Sequence, residues 1–197
     1  MTVMSKPHLI VVLGMHRSGT SLVTKSLEIL GVDLGASLLP PAADNPKGFF
    51  EDSDINRLNI DMLNAIGLDW DSTRFVTKTD VEALYDQGFF DRAAALLHVK
   101  LSQGSIFGFK DPRVCKLLPF WQKVVLTEKI QTKYIVVIRN PISVAKSLEA
   151  RNGFDKRKSF LLWYSHQLQI LMSIGGIDLT FVDYDNFVND AHQEIER

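Results

Sequence analysis

From Gly14 to Ser21 the chain reads Gly-Met-His-Arg-Ser-Gly-Thr-Ser, and five of the six residues from His16 onward can donate hydrogen bonds or carry charge. An apolar run, 9–13, leads into Gly14, and a helix-like pattern leaves Ser21. A glycine-bearing turn between a strand and a helix points several backbone N–H groups at one spot, at the positive end of the helix dipole. Ser18, Thr20 and Ser21 add hydroxyls, Gly19 lets the backbone approach closely, and Arg17 adds a planar fork suited to phosphate or sulfate oxygens. Such a turn binds an anion.

The spacing nearly matches the phosphate loop G-x-x-x-x-G-K-[ST], with Thr20 where that loop carries lysine. The lysine of a nucleoside triphosphatase reaches the β- and γ-phosphates, so its absence argues against ATP or GTP hydrolysis. Asp111 and Asp183 lie at expected strand ends and could imitate a magnesium-holding aspartate. A second anion element lies at 134–148. Arg139 ends an apolar run at the edge where open α/β sheets bind ligands. Ser143 and Ser147 fall four residues apart on the following helix, hence on one face. Ser147 is six residues past Pro141, roughly 9 Å along the axis, so Arg139 and Ser147 can flank a second anion.

The elements that must position these groups are legible in the pattern. Short β-branched runs at 8–14, 105–109, 133–139 and 178–184 read as buried strands. Helical patterns occupy about 19–30, 53–66, 80–102, 114–128, 141–151 and 157–174. Alternation of the two predicts a three-layer α/β/α domain with a central parallel sheet and a P-loop-like topology. Gly31 can close the first helix, Ser53 can cap the second, and Pro141 suits the first turn of the fifth. The stretch 35–52, with three prolines and two glycines, suits a substrate loop. The basic stretch 151–159 is either a solvated turn or a wall of an anion site. The chain ends inside Asn-Asp-Ala-His-Gln-Glu-Ile-Glu-Arg with no helix stop signal, which reads as a single domain over 1–197, truncated or cut from a longer polypeptide.

Composition narrows the function classes. With 22 basic and 23 acidic residues, the formal charge is −1, which lacks the basic excess of nucleic-acid readers. The single cysteine, Cys115, excludes an internal disulfide and fits a reducing compartment. Its expected place is the core. No apolar run reaches the ~18 residues of a membrane span, and the expected location is cytoplasmic. The five histidines show no metal-ligand spacing.

Two segments carry a family resemblance. Gly14-Met-His-Arg-Ser-Gly-Thr-Ser-Leu-Val23 resembles the 5′-phosphosulfate loop of sulfotransferases that use 3′-phosphoadenosine 5′-phosphosulfate, and 136–148 resembles their 3′-phosphate motif. The stretches 45–52, 107–121 and 181–188 are similar to the bacterial-type branch, so the likeness runs from about 8 to 190. It implies that Arg17 stands where the cytosolic branch has its loop lysine. It also implies that Arg139 and Ser147 hold the 3′-phosphate, with adenosine 3′,5′-bisphosphate as product and no metal.

Sulfuryl transfer is an in-line displacement in which a protein mainly positions reactants and stabilises charge. The acceptor hydroxyl needs a base. Glu51, after Phe49 and Phe50, is the first candidate, since apolar neighbours raise a carboxyl pKa; its other reading is a helix N-terminal acid. His16 is the second and Asp111 the third, with Asp111 as well suited to pair with Lys110 or Arg113. Arg113 could contact the acceptor or only close that ion pair. Phe49, Phe50 and Trp70 are candidate walls for a small-molecule or carbohydrate acceptor. Two other classes remain open: a P-loop kinase or NTPase, and a catalytically silent nucleotide-binding module.

Overall fold

Each β-branched run becomes a strand. The computed structural model describes residues 8–43, 45–102, 106–175, 177 and 179–196. Strands β1 (His8–Leu13), β2 (Ile106–Lys110), β3 (Gln131–Ile138) and β4 (Leu179–Asp183) pair in parallel in the order β2-β1-β3-β4. The helices are α1 (Thr20–Ile29), α2 (Ser53–Ala65), α3 (Lys78–Asp86), α4 (Phe89–Leu101), α5 (Val114–Thr127), α6 (Pro141–Asn152), α7 (Lys156–Ser173), α8 (Tyr184–Asn189) and α9 (Ala191–Glu196). Ser105 and Asp178, expected as first residues of two strands, lie outside the described residues.

Strand alternation sends neighbouring side chains to opposite faces. Leu9, Val11 and Leu13 of β1 join the main core with Phe107, Phe109 and residues of α2, α4 and α5 such as Leu63, Leu97 and Trp121. Val12 and Val137 face the other way, against Val23 of α1 and Phe187 of α8. Helices therefore cover both faces of a parallel sheet, the three-layer α/β/α architecture expected from the sequence.

Local chemistry corrects several boundaries. The helix expected over 80–102 is two helices, because Gly88 takes φ +78° and starts α4 anew. Helix α3 begins early at a capping box, where Thr77 and Asp80 exchange hydrogen bonds. The cap of α2 is Asp52, not Ser53: its Oδ1 accepts from the amides of Asp54 and Ile55 at 3.0 and 3.1 Å. Strand β4 stops at Asp183, whose carboxylate accepts the Asn186 amide at 3.0 Å and turns Tyr184 into the first residue of α8. Gly31 and Pro141 sit as expected, just past α1 and at the start of α6.

The irregular stretch 35–52 folds back on itself as a strap. The Leu39 amide donates to the Glu51 carbonyl and the Ser53 amide to the Ser37 carbonyl, both at 2.8 Å. Asp52 anchors its base, with Oδ2 2.7 Å from the Lys100 ammonium in a buried pair. Gly35, at φ +89°, lies so close to that carboxylate that a Cβ would stand 2.5 Å from Oδ2. The strap thereby holds Phe49, Phe50 and Glu51 over the carboxyl edge of the sheet.

Candidate functional site

At that edge opens a cleft of about 990 Å³. Its floor is the turn between β1 and α1. The Ser18 amide donates to the Met15 carbonyl at 3.1 Å, and Arg17 takes a left-handed φ of +67° that a non-glycine residue adopts only under constraint. Gly14 is forced by space, since a Cβ would lie 2.6 Å from Thr20 Cγ2 and 2.9 Å from the Val137 carbonyl. Gly19, at φ +85°, starts α1, and a Cβ there would overlap the Tyr184 ring. Cys115 is buried as expected and braces the turn, its Sγ accepting the Gly14 amide at 3.1 Å. Burial pushes its thiol up to about 12, so it is an inert packing group.

The two segments expected to bind anions meet directly. Arg17 Nε donates to Ser147 Oγ at 2.7 Å, and Arg139 Nη1 donates to the Arg17 carbonyl at 2.9 Å. Pro141 and the Asn140 cap start α6 directly after Arg139, which lays the Ser147 face of the helix on the loop. The Arg139 guanidinium lies 4.6 Å from the Tyr184 ring centroid. Its Nε is buried without a hydrogen-bond partner, 4.0 Å from an Asp185 carboxylate oxygen.

On the strap side, Lys110 at the end of β2 reaches under the loop. Its buried ammonium is 2.7 Å from Glu51 Oε1 and 3.3 Å from Ser21 Oγ. Glu51 Oε2 accepts from Asn56 Nδ2 at 2.9 Å. Burial raises the Glu51 pKa above its ordinary value and the Lys110 charge opposes the shift. Glu51 is therefore not the helix-capping acid; Asp52 caps α2 instead. Ser21 Oγ in turn donates to the Phe49 carbonyl at 3.2 Å, which ties strap to loop.

Asp111 is committed elsewhere. It accepts from Asn56 and Asn59 at 3.2 and 3.1 Å, and from the Arg113 amide and Nη1 at 2.9 and 3.0 Å. It is fully buried, pairs with Arg113 rather than Lys110, and does not line the cleft. Asp183 caps α8 as described. Among the described residues, no group of three or more His, Cys, Asp or Glu is placed to hold a metal.

His16 lies on the third side, its ring 4.7 Å from the Trp70 centroid and 6.4 Å from that of His166. Its Nε2 is buried with no hydrogen-bond partner. Burial, then Arg113, His166, Arg151 and Lys110, holds its pKa well below 6.5, so the ring is neutral at pH 7.

The cleft thus gathers His16, Arg17, Gly19, Thr20 and Ser21 from the loop, with Phe49, Phe50, Glu51, Trp70, Arg113 and Arg139 around it. Ser18 is fully buried and, like Ser147, stands outside the lining; Ser147 Oγ accepts from Arg17. Two residues at the site escape a reading of the sequence. Lys110 reads there only as a partner of Asp111, although a lysine closing a buried strand at the ligand edge is an available signal. Tyr184 reads as a strand end. Of the basic stretch 151–159, Arg151 and Asn152 line the cleft, and Lys156 and Arg157 are exposed.

A parallel sheet whose first strand passes through a glycine turn into a helix, with the cleft at the carboxyl edge, is the P-loop-like α/β fold. Solved structures share it. The sulfotransferase domain from the curacin biosynthetic pathway superposes with a TM-score of 0.53 at 16% identity, over 96% of this chain and 71% of that one. The sulfotransferase domain of the Synechococcus PCC 7002 olefin synthase gives 0.54 at 16% identity, over 99% and 72%. At these identities the likeness establishes the fold. No protein-family model and no curated protein sequence matches the chain.

Among the described residues, no helix is long and apolar enough to cross a membrane.

Proposed function

We propose that this chain is a sulfotransferase that moves a sulfuryl group from 3′-phosphoadenosine 5′-phosphosulfate to an acceptor hydroxyl or amine. The carrying observation is the Arg139–Arg17–Ser147 chain of hydrogen bonds, which couples a 5′-type anion loop lacking lysine to a second anion element. The donor set fits such a nucleotide: the buried Arg139 Nε makes no hydrogen bond and stands 4.0 Å from an Asp185 carboxylate oxygen, so it has a donor to offer a phosphate. When bound, the nucleotide supplies an activated sulfuryl group with a phosphate leaving group.

The chain's residues do the rest. Loop amides, Arg17 and the Lys110 ammonium beside Ser21 stabilise charge on the transferring and leaving oxygens. Lys110 comes from β2 and serves where the loop has no lysine. Glu51 accepts the acceptor proton while the new oxygen–sulfur bond forms and the sulfur–oxygen bond to phosphate breaks. Phe49, Phe50 and the strap exclude water from that exchange.

A ligand-induced thermal shift tests the reading against a kinase or NTPase. Adenosine 3′,5′-bisphosphate raises the melting temperature and ATP with magnesium does not; a hundredfold excess over Kd is worth about 2.7 kcal/mol. A shift with ATP and magnesium alone overturns the proposal.

Arg139 and Ser147 give a finer test. Arg139→Ala weakens adenosine 3′,5′-bisphosphate far more than 5′-AMP, which lacks the 3′-phosphate. Ser147→Ala acts in the same direction and less, because a neutral hydroxyl contributes less than a charged donor. Equal losses for both nucleotides in isothermal titration would reduce the pair to a scaffold for the loop.

A further inference from the structure

The cleft is far more basic than the chain. Among the described residues it is lined by seven Lys or Arg side chains and by one acid, Glu51, in a protein of net charge −1. The proposed donor site accounts for Arg17, Lys110 and Arg139. Lys25 is paired with Glu28 on the surface of α1, and Lys47 is exposed on the strap. Arg113, paired with Asp111, and Arg151, whose Nε donates to Asn152 Oδ1 at 2.7 Å, are not used by the donor; Arg151 stands against the aromatic wall and Arg113 lines the same cleft.

Helix geometry places that wall beside the loop. Ser147 and Arg151 are four residues apart on α6, so they share a face. Arg151 therefore follows the loop contact by about one turn, roughly 6 Å. Its guanidinium lies 5.3 Å from the Trp70 ring centroid. Phe154 stacks on Trp70 at 5.8 Å and His16 meets it edge-on. Arg113 binds Asp111 through one terminal nitrogen, whereas a guanidinium has five N–H donors. Arg113 and Arg151 are also two of the charges that depress the His16 pKa, so positive potential reaches the unpartnered Nε2. An aromatic surface with one guanidinium against it and a second in the same cleft suits an organic anion.

We infer that the acceptor is itself anionic: a hydroxyl compound with a carboxylate, sulfate or phosphate group held by Arg113 and Arg151, its apolar body against Trp70. The inference rests on the sulfuryl-transfer reading for the identity of the reacting group. It adds the chemical class of the acceptor.

The test uses matched acceptor pairs with the protein saturated in adenosine 3′,5′-bisphosphate: para-hydroxyphenylacetate and its amide, methyl glucuronide and methyl glucoside, glycerol phosphate and glycerol. Thermal shift and titration report binding, and radiolabelled donor reports transfer. In at least one pair the anion binds ~10–100-fold more tightly than its neutral partner, the worth of one charge-assisted contact. The pair that responds tells a carboxylate site from a phosphate site. Arg151→Met abolishes that preference, Arg151→Lys keeps part of it, and bisphosphate affinity stays within about twofold in both. The inference is overturned if no anion binds, if neutral and anionic partners bind alike, or if Arg151→Met weakens both equally. Failure of the bisphosphate itself to bind would instead remove the sulfuryl-transfer reading.

Discussion

Glu51→Gln is expected to lower turnover by about 10²–10⁴, the usual worth of a positioned base, while adenosine 3′,5′-bisphosphate binds no more weakly. Gln keeps the shape of the side chain but has one acceptor oxygen, so it keeps the hydrogen bond from Lys110 or the one from Asn56 and not both, and it has no useful basicity. It also removes the one acid that lines the cleft among the described residues, which unmasks the Lys110 ammonium beside Ser21. Affinity for an anionic nucleotide therefore holds or rises. In the unaltered protein, burial raises the Glu51 pKa, so a base role places the acid limb of kcat/KM above the ordinary glutamate value, with activity rising as Glu51 ionises. Turnover is followed with radiolabelled donor and pooled hydroxyl compounds. Near-normal transfer by Glu51→Gln would move the role to His16, whose Nε2 is neutral and unpartnered. Asp111 is ruled out as successor by its Asn56, Asn59 and Arg113 contacts. A loss of folding together with nucleotide affinity would mark Glu51 as a structural partner of Lys110.

Local signals carry much of this molecule into view. The apolar runs and the glycine turn give the strands, the loop and α1, because period-two burial and left-handed backbone are written within a few residues. Arg139 and Ser147 are also legible, since both belong to one strand-to-helix unit. What stays hidden depends on distant parts of the chain. The Lys110–Glu51 pair joins residues 59 apart, and Tyr184 reaches Gly19 across almost the whole sequence. Nothing near Tyr184 indicates that it covers the loop. The break at Gly88 is obscured differently. One glycine is tolerated inside a helical pattern at a cost of ~1 kcal/mol, so periodicity continues through a residue whose backbone turns. At α2, Asp52 and Ser53 are both good caps, and Asp52 takes the place because its second oxygen also meets Lys100.

Lys110→Met is expected to destabilise the fold strongly, because it leaves Glu51 buried without its cation. Removing one partner of a buried pair costs about 3–5 kcal/mol, and at roughly 2–4 °C per kcal/mol for a chain of this size the melting temperature falls by ~10 °C. The double variant Lys110→Met with Glu51→Gln recovers much of that loss, since neither side then carries an uncompensated charge. The sign of the pH dependence follows from the pKa. Lys110 opposes the upward shift of Glu51, so its removal raises the folded-state pKa further above the unfolded value. A carboxyl shifted upward destabilises the fold fully above its folded pKa and not at all below its unfolded pKa. The deficit of Lys110→Met thus shrinks as pH falls from about 8 toward the ordinary carboxylate range. Calorimetric melts of the four proteins across that range measure it. A deficit that is constant with pH, or a double variant less stable than Lys110→Met, would show that the charge pair is not what holds β2 to the strap. Transfer adds a separate line: the double variant regains stability and stays inactive, because the base and the loop-side ammonium are both gone. On the proposed mechanism stability and catalysis draw on the same two residues, and the double variant separates them.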